Sequence, residues 1–264
     1  MKSFAEATAL SGNDDGTYTA ELDPQWAIGD KLHGGYLMAV LCRAVAAGAE
    51  HPHLVAVTTS FLRPPAPGPA TVSVELLRAG RSQAQFRARL EQDGAACAEA
   101  LVTQGTLDEA EAWWSGASRP ELPAEEDCFL LPSNASGASF QVHLLDVVEH
   151  RLNPADLGFA VGQPSPSGRI AGWLRLADGA DWDPLSMLIA LDPAPPISLT
   201  LGVTGWAPTI TLTAYLRRLP APGPLRVAMH ATEIVSGRMD EITFVWDAKG
   251  NLVAQATQLA AIRH

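Results

Sequence analysis

Two parts of this chain carry side chains suited to chemistry, and they lie far apart. The first is His33-Gly34-Gly35, which opens an apolar stretch with helical spacing. Backbone N–H groups at a helix start attract negative charge, and glycines let a bound group come close to them. The second is a scattered set in the other half, Asp192, Thr209 and Gln258. An acid can take or return a proton, while a hydroxyl and an amide can orient a small molecule beside it. Each residue also has an ordinary reading. Asp192 precedes Pro193, a position disfavoured in the α region, so it can end a helix as a cap. Thr209 and Gln258 can serve polar pairing in a sheet. His33 can donate to a ligand, cap its helix or sit satisfied in a core, and the glycines can serve close helix-to-sheet packing alone.

What ties the two parts together is an internal repeat. "TTSFLRPPAPGP" at 58–69 returns as "TAYLRRLPAPGP" at 213–224, and aligning Pro65 with Pro220 sets an offset of 155 positions. The match continues through the Gly-Arg pairs Gly80-Arg81 and Gly237-Arg238, the turns Asp93-Gly94 and Lys249-Gly250, and the late glutamines Gln104 and Gln258. A period this long is a duplicated domain, not a solenoid. The copies differ where chemistry is concerned. At the offset positions of His33, Gly34 and Gly35 stand Leu188, Ile189 and Ala190; at those of Asp192 and Thr209 stand Leu37 and Leu54. With glutamine in both copies, the differences point to one composite site built from complementary parts.

Each copy repeats one order of elements. In the first, β-forming stretches at Val55–Leu62, Thr71–Leu77, Gln83–Glu91 and Ala95–Thr106 are broken by "PAPGP", "AGR" and "QDGA", the spacing of consecutive antiparallel strands. Before them, "KLHGGYLMAVLCRAVAAGA" at 31–49 reads as a helix apolar nearly all round, hence buried. "DWDPLSMLIALD" at 181–192 takes that place in the second copy, with Asp183 as N-cap and Pro184 in the first turn. The pattern predicts an α+β fold with units at 1–107 and 138–264 and a connector at 108–137 that Trp113 and Trp114 pin to the surface. The units should join edge to edge into one sheet with both helices on one face, since an isolated copy would leave strand edges exposed.

Composition narrows the function classes. The chain has 264 residues, 18% charged and 47% hydrophobic, which describes packed globular structure. Its formal net charge of -11 opposes nucleic-acid binding. No apolar run approaches the roughly 20 residues that span a bilayer, and the start lacks a signal-peptide pattern, so a cytoplasmic protein is expected. Cys42, Cys97 and Cys128 are widely spaced, without a CxxC, and read as buried thiols. There is no GxSxG, Walker or GxGxxG pattern, and His33, His51 and His53 form no metal-ligand grouping. Neither a metal nor a cofactor is expected.

"HGGYLMAVLCRAV" followed by "VAVTTSFLRPPAPGP", and later "LIALD", "TITLTAYLRR" and "NLVAQATQLAAIRH", resemble the acyl-CoA thioesterase II group of double-hotdog proteins over nearly the whole chain. The resemblance implies two tandem hotdog units and hydrolysis of an acyl-CoA to a free acid and coenzyme A. It places Asp192, Thr209 and Gln258 around the hydrolytic water, with Asp192 as base. His33, Gly34, Gly35 and Tyr36 fall on the oxyanion and substrate side, with Gly35 as the N–H donor, and the acyl chain passes Tyr36, Leu37 and Met187. Arg63, Arg81 and Arg218 are candidates for the coenzyme phosphates, against surface ion pairing as the plain alternative. The chain departs from the family where Thr211 and Leu212 stand for an expected Asp and His, and where His33-Gly34-Gly35-Tyr36 replaces Phe-Gly-Gly-Gln. Two other readings stay open: an enoyl-thioester hydratase or dehydratase using Asp30 and His33, and a non-catalytic acyl-CoA or lipid binder. Acyl-chain type and homo-oligomerisation are not legible.

Overall fold

A computed structural model of the chain describes residues 1–134, 140–165, 167–193, 195–203 and 207–262. The first copy contributes β1 (Leu10–Gly12), β2 (Tyr18–Leu22), a small ribbon of β3 (Ala27–Ile28) and β4 (Lys31–Leu32), then β5 (His53–Phe61), β6 (Gly68–Ala79), β7 (Ala84–Gln92) and β8 (Ala95–Gly105). The second contributes β9 (Phe129–Leu130), β10 (Val148–Leu152), β11 (Arg169–Leu176), β12 (Thr209–Leu216), β13 (Leu225–Val235), β14 (Arg238–Trp246) and β15 (Leu252–Ala261). Helices are α1 (Phe4–Ala7), α2 (Gly34–Gly48), α3 (Leu144–Val147) and α4 (Met187–Ala190).

Apart from the ribbon, the strands form one 13-stranded antiparallel sheet ordered β1-β2-β6-β7-β8-β5-β12-β15-β14-β13-β11-β10-β9. The order reads alike outward in both directions from the β5–β12 seam, with β9 added at one end. At that seam Thr58 pairs with Thr213, and their hydroxyls meet at 3.1 Å. These are the residues related by the repeat offset of 155, so the pair marks the approximate two-fold axis of the duplication. The result is the double-hotdog arrangement, with two units in one continuous sheet. Strand-level patterning explains it: β7 alternates buried and exposed positions along most of its length, so one face is covered while the other meets water.

The covering layer is α2, which packs on β5 to β8 and against α4. Its small and aliphatic residues from Gly35 to Cys42 are all buried, as a helix apolar all round requires. The two helices meet closely because of two glycines. A Cβ on Gly35 would lie 2.3 Å from the Leu188 carbonyl oxygen, and one on Gly34 would lie 2.6 Å from the Asp192 carboxylate.

Three sequence expectations change. The second helix is only four residues long, Met187–Ala190, rather than 181–192. Its preceding turn is held by Asp183, whose Oδ1 accepts from the Leu185 and Ser186 amides at 2.9 and 2.6 Å, and Pro193 turns the chain away directly after Asp192. Trp113 and Trp114 do not pin the connector: they are 100% and 75% exposed. Finally, the two late glutamines are not counterparts. Gln258 pairs with Leu212 and Glu241, as Val102 pairs with Val57 and Phe86; Gln104 lies two residues further on, opposite Leu54 and Ala84. Cys42, Cys97 and Cys128 are buried free thiols, as expected.

Candidate active site

The short second helix leaves Asp192 on a bend just beyond α4, its amide donating back to the Ile189 carbonyl at 3.3 Å. Its side chain does not cap its own helix. Oδ2 instead accepts from the Gly35 amide at 3.2 Å, at the positive N-terminal end of α2 in the other copy. His33 Nε2 lies 3.4 Å from the same Oδ2 and also against the Asp192 carbonyl oxygen. Both neighbours are acceptors, so Nε2 carries the proton. Nδ1 has no partner among the described residues. Acid, histidine and glycines therefore come together across the helix–helix contact.

A second chain of bonds arises on the sheet. Thr209 opens β12 and donates its hydroxyl to Gln258 Oε1 at 3.2 Å. Gln258 Nε2 donates to Glu241 Oε2, and Glu241 Oε1 accepts from the Ile197 amide at 3.3 Å. Glu241 is 2% exposed, and sequence reasoning missed it. The signal was present: in β14 the residues Met239, Glu241, Thr243 and Val245 share the buried phase, and a charged residue in that phase is unusual enough to mark a site.

Both carboxyl groups hold their protons more tightly than usual. Burial pushes Asp192 up, opposed by His33 and by the Gly35 amide. Burial also pushes Glu241 up, to about 7, with the nearby Asp192 adding to the effect and the Gln258 and Ile197 bonds opposing it. Two acids that resist simultaneous ionisation are a common feature of proton-transfer sites.

These groups surround one end of a cavity of about 360 Å³. The rest of its wall is mainly apolar and comes from both copies, with Leu32, Leu37 and Phe61 facing Pro196, Pro208 and Ile210. Lys31 and Arg63 also line it. Other expected site residues lie elsewhere. Tyr36 is committed to the core: its hydroxyl donates to the Ala7 carbonyl at 2.7 Å and accepts from the Asp23 amide at 3.0 Å, and its ring stacks on Trp26. Met187 is fully buried and does not reach the cavity. Arg218 is spent on the connector, donating to the Ala110 carbonyl at 2.8 Å. Arg81 sits exposed at the turn between β6 and β7.

Strand register identifies what the first copy has in place of this cluster. Phe86 and Val102 pair with each other as Glu241 and Gln258 do, and the repeat offset adds Leu37 and Leu54 for Asp192 and Thr209. All four counterparts are apolar and buried.

Comparisons with known proteins show the family and the fold. A family model described as the acyl-CoA thioesterase N-terminal domain matches residues 22–105, and one described as the acyl-CoA thioesterase C-terminal domain matches residues 120–262. An uncharacterized protein of Mycobacterium tuberculosis is 30% identical, over 93% of this chain and 90% of its own. The crystal structure of a candidate thioesterase II from Thermobifida fusca superposes with a TM-score of 0.90 at 32% identity, covering 100% of this chain and 98% of that one. A candidate thioesterase from Novosphingobium aromaticivorans gives a TM-score of 0.81 at 25% identity, covering 97% of this chain and 99% of that one.

Proposed function

We propose that this chain, which belongs to the hotdog-fold acyl-CoA thioesterase-like family, hydrolyses an acyl-CoA to a free acid and coenzyme A in the manner of a thioesterase II. The observation that carries this reading is the polar cluster of Asp192, Thr209, Glu241 and Gln258 around one cavity, where the duplicated half has only apolar side chains. A buried acid, Glu241, with a half-buried acid, hydroxyl and amide beside it costs stability unless the groups are used.

In this reading a water sits between Asp192 and the Thr209–Gln258 pair. Asp192 takes a proton as the water oxygen adds to the thioester carbonyl. The Gly35 amide, bonded to Asp192 Oδ2, passes to the carbonyl oxygen as negative charge grows there. Collapse of the adduct breaks the carbon–sulfur bond, and the thiolate leaves with a proton. The apolar wall holds the acyl chain, and Arg63 at the same cavity meets the coenzyme phosphates.

One observation favours a second reading. The His33–Asp192 pair at 3.4 Å is an acid–base couple of the kind that adds or removes water at an enoyl thioester. Asp30, the partner expected from sequence, is exposed and paired with Lys31 at 2.8 Å. The discriminating experiment incubates purified protein with saturated and enoyl acyl-CoAs while measuring free thiol and enoyl absorbance. Thiol release from saturated substrates supports hydrolysis. Enoyl loss without thiol supports hydration, and binding without either change leaves a non-catalytic carrier.

A further inference from the structure

We propose that Glu241 is a positioning residue whose charge state sets the direction of the Glu241–Gln258–Thr209 hydrogen-bond relay, and so decides whether Thr209 accepts a hydrogen bond from the water beside Asp192 or donates one to it. The inference rests on the hydrolytic reading above and deepens it.

The argument starts from the capacity of each group. Both oxygens of Glu241 accept, one from the Ile197 amide and one from Gln258 Nε2, which is the pattern of an ionised carboxylate. That fixes the Gln258 amide with its nitrogen towards Glu241 and its oxygen towards Thr209. Thr209 must then use its only O–H as a hydrogen-bond donor to Gln258 Oε1, so its lone pairs are left to accept a hydrogen bond from the water. With Asp192 accepting from the water's other O–H, both lone pairs of the water are free and one can add to the carbonyl carbon. A protonated Glu241 reverses this order. The carboxyl O–H needs an acceptor, the Gln258 amide turns to offer its oxygen, and its N–H now faces Thr209. The Thr209 hydroxyl is released to donate to the water, taking up one of its lone pairs, losing the hydrogen bond that had oriented it and making it a poorer nucleophile. Ionised Glu241 is the competent state.

Glu241 is placed to change state near neutrality, its carboxyl being pushed up to about 7 by burial. The charged groups around it are Asp192 beyond α4, Asp240 on its own strand, His33 at the start of α2, and Lys31 and Arg63 on the cavity wall. Asp192 couples to it most directly among these, so ionising either acid makes the other harder to ionise.

The test uses full-length protein and the variants Glu241→Gln, Glu241→Met and Gln258→Leu. Glutamine is isosteric with Glu241, so its variant folds wherever the wild type does, and it holds the relay in the reversed direction at every pH. At pH 8 its kcat is expected to fall about tenfold to a hundredfold, the usual effect of losing an orienting partner, while KM changes by less than about twofold. The loss of activity near pH 7 in the wild type should move to lower pH in Glu241→Gln, and likewise in Glu241→Met. Independently of any substrate, the side-chain amide resonances of Gln258, identified by their absence in Gln258→Leu, should shift with pH near neutrality in the wild type and stay constant in Glu241→Gln. Amide resonances that ignore pH in the wild type, or titrate equally in Glu241→Gln, overturn the proposal. A Glu241→Gln enzyme with unchanged kcat and pH profile overturns it as well. If the wild type releases thiol from no acyl-CoA, the hydrolytic reading falls instead, and the relay is judged by the amide shifts alone.

Discussion

At matching places in its two halves this molecule carries two different quartets, one apolar and buried, the other polar and, apart from Glu241, half-buried. The first half has Leu37, Leu54, Phe86 and Val102; the second has Asp192, Thr209, Glu241 and Gln258. The backbone around them is the same, since strand register superposes one pair of strands on the other. The difference shows what the fold needs and what the chemistry needs. Apolar side chains suffice to pack a helix on a hotdog sheet, so the polar quartet is an addition to the fold. The first half makes a complementary contribution: its His33-Gly34-Gly35 turn meets the acid of the second half across the seam. After duplication each copy could lose what the other retained, because one chain now carries both.

The largest way to break the comparison is Asp192→Asn. Removing the proton acceptor should lower kcat by about 10²–10⁴ without harming the fold, and stopped-flow thiol release against a melting curve checks both. Retention of near wild-type turnover would show that Asp192 is not the base. Smaller losses, on the order of 10–100-fold, are expected for Thr209→Val, which removes a contact to the water, and Gln258→Leu, which removes the group that orients Thr209; both leave the base in place. Steady-state kinetics on the same acyl-CoA gives the ranking, and equal activity in all three variants would dismiss the cluster.

In stability rather than rate, the polar quartet should carry a cost that depends on pH. The folded state holds the Glu241 proton up to about 7, above the ordinary 4.5. The stability tied to that proton is therefore complete below the ordinary value and is lost as pH rises through the folded one, a swing on the order of 3 kcal/mol. Asp192, also raised, acts in the same direction. Melting temperature should fall between pH 5 and 8 in the wild type and fall less in Glu241→Met. The smallest effect belongs to the first half. Gln104 is buried with neither amide atom bonded among the described residues, so Gln104→Leu should leave kcat unchanged and raise stability by about 1 kcal/mol. A loss of activity in that variant would mean that Gln104 also takes part in the site.

The fold was largely legible before the coordinates. Alternation in β7, punctuation by "PAPGP", and an all-apolar helix behind two glycines are local signals that packing reinforces. Asp192, Thr209, His33 and the glycines were visible because the repeat supplied its own control, showing which positions differ between copies. What could not be read depended on register. A turn that differs in length by one residue makes the two glutamines look equivalent, and only strand pairing shows Val102 opposite Phe86 where Gln258 meets Glu241. Glu241 itself hid beside Asp240 as one of two consecutive acids. Tyr36 misled for another reason: a helix apolar on all sides does not say which face meets the cavity, and its bond to Ala7 joins it to a distant N-terminal segment.

The central claim is that one reaction is assembled from both copies, and the most direct measurement is a crystal structure of Asp192→Asn with an acyl-CoA bound. The account predicts a thioester lying across the helix–helix contact, its carbonyl oxygen about 3 Å from the Gly35 amide and its carbonyl carbon facing Asn in place of Asp192, with the acyl chain along Leu37 and Phe61. A thioester held wholly within one copy, with its sulfur away from both Gly35 and position 192, would contradict it even if the protein proved to be a thioesterase.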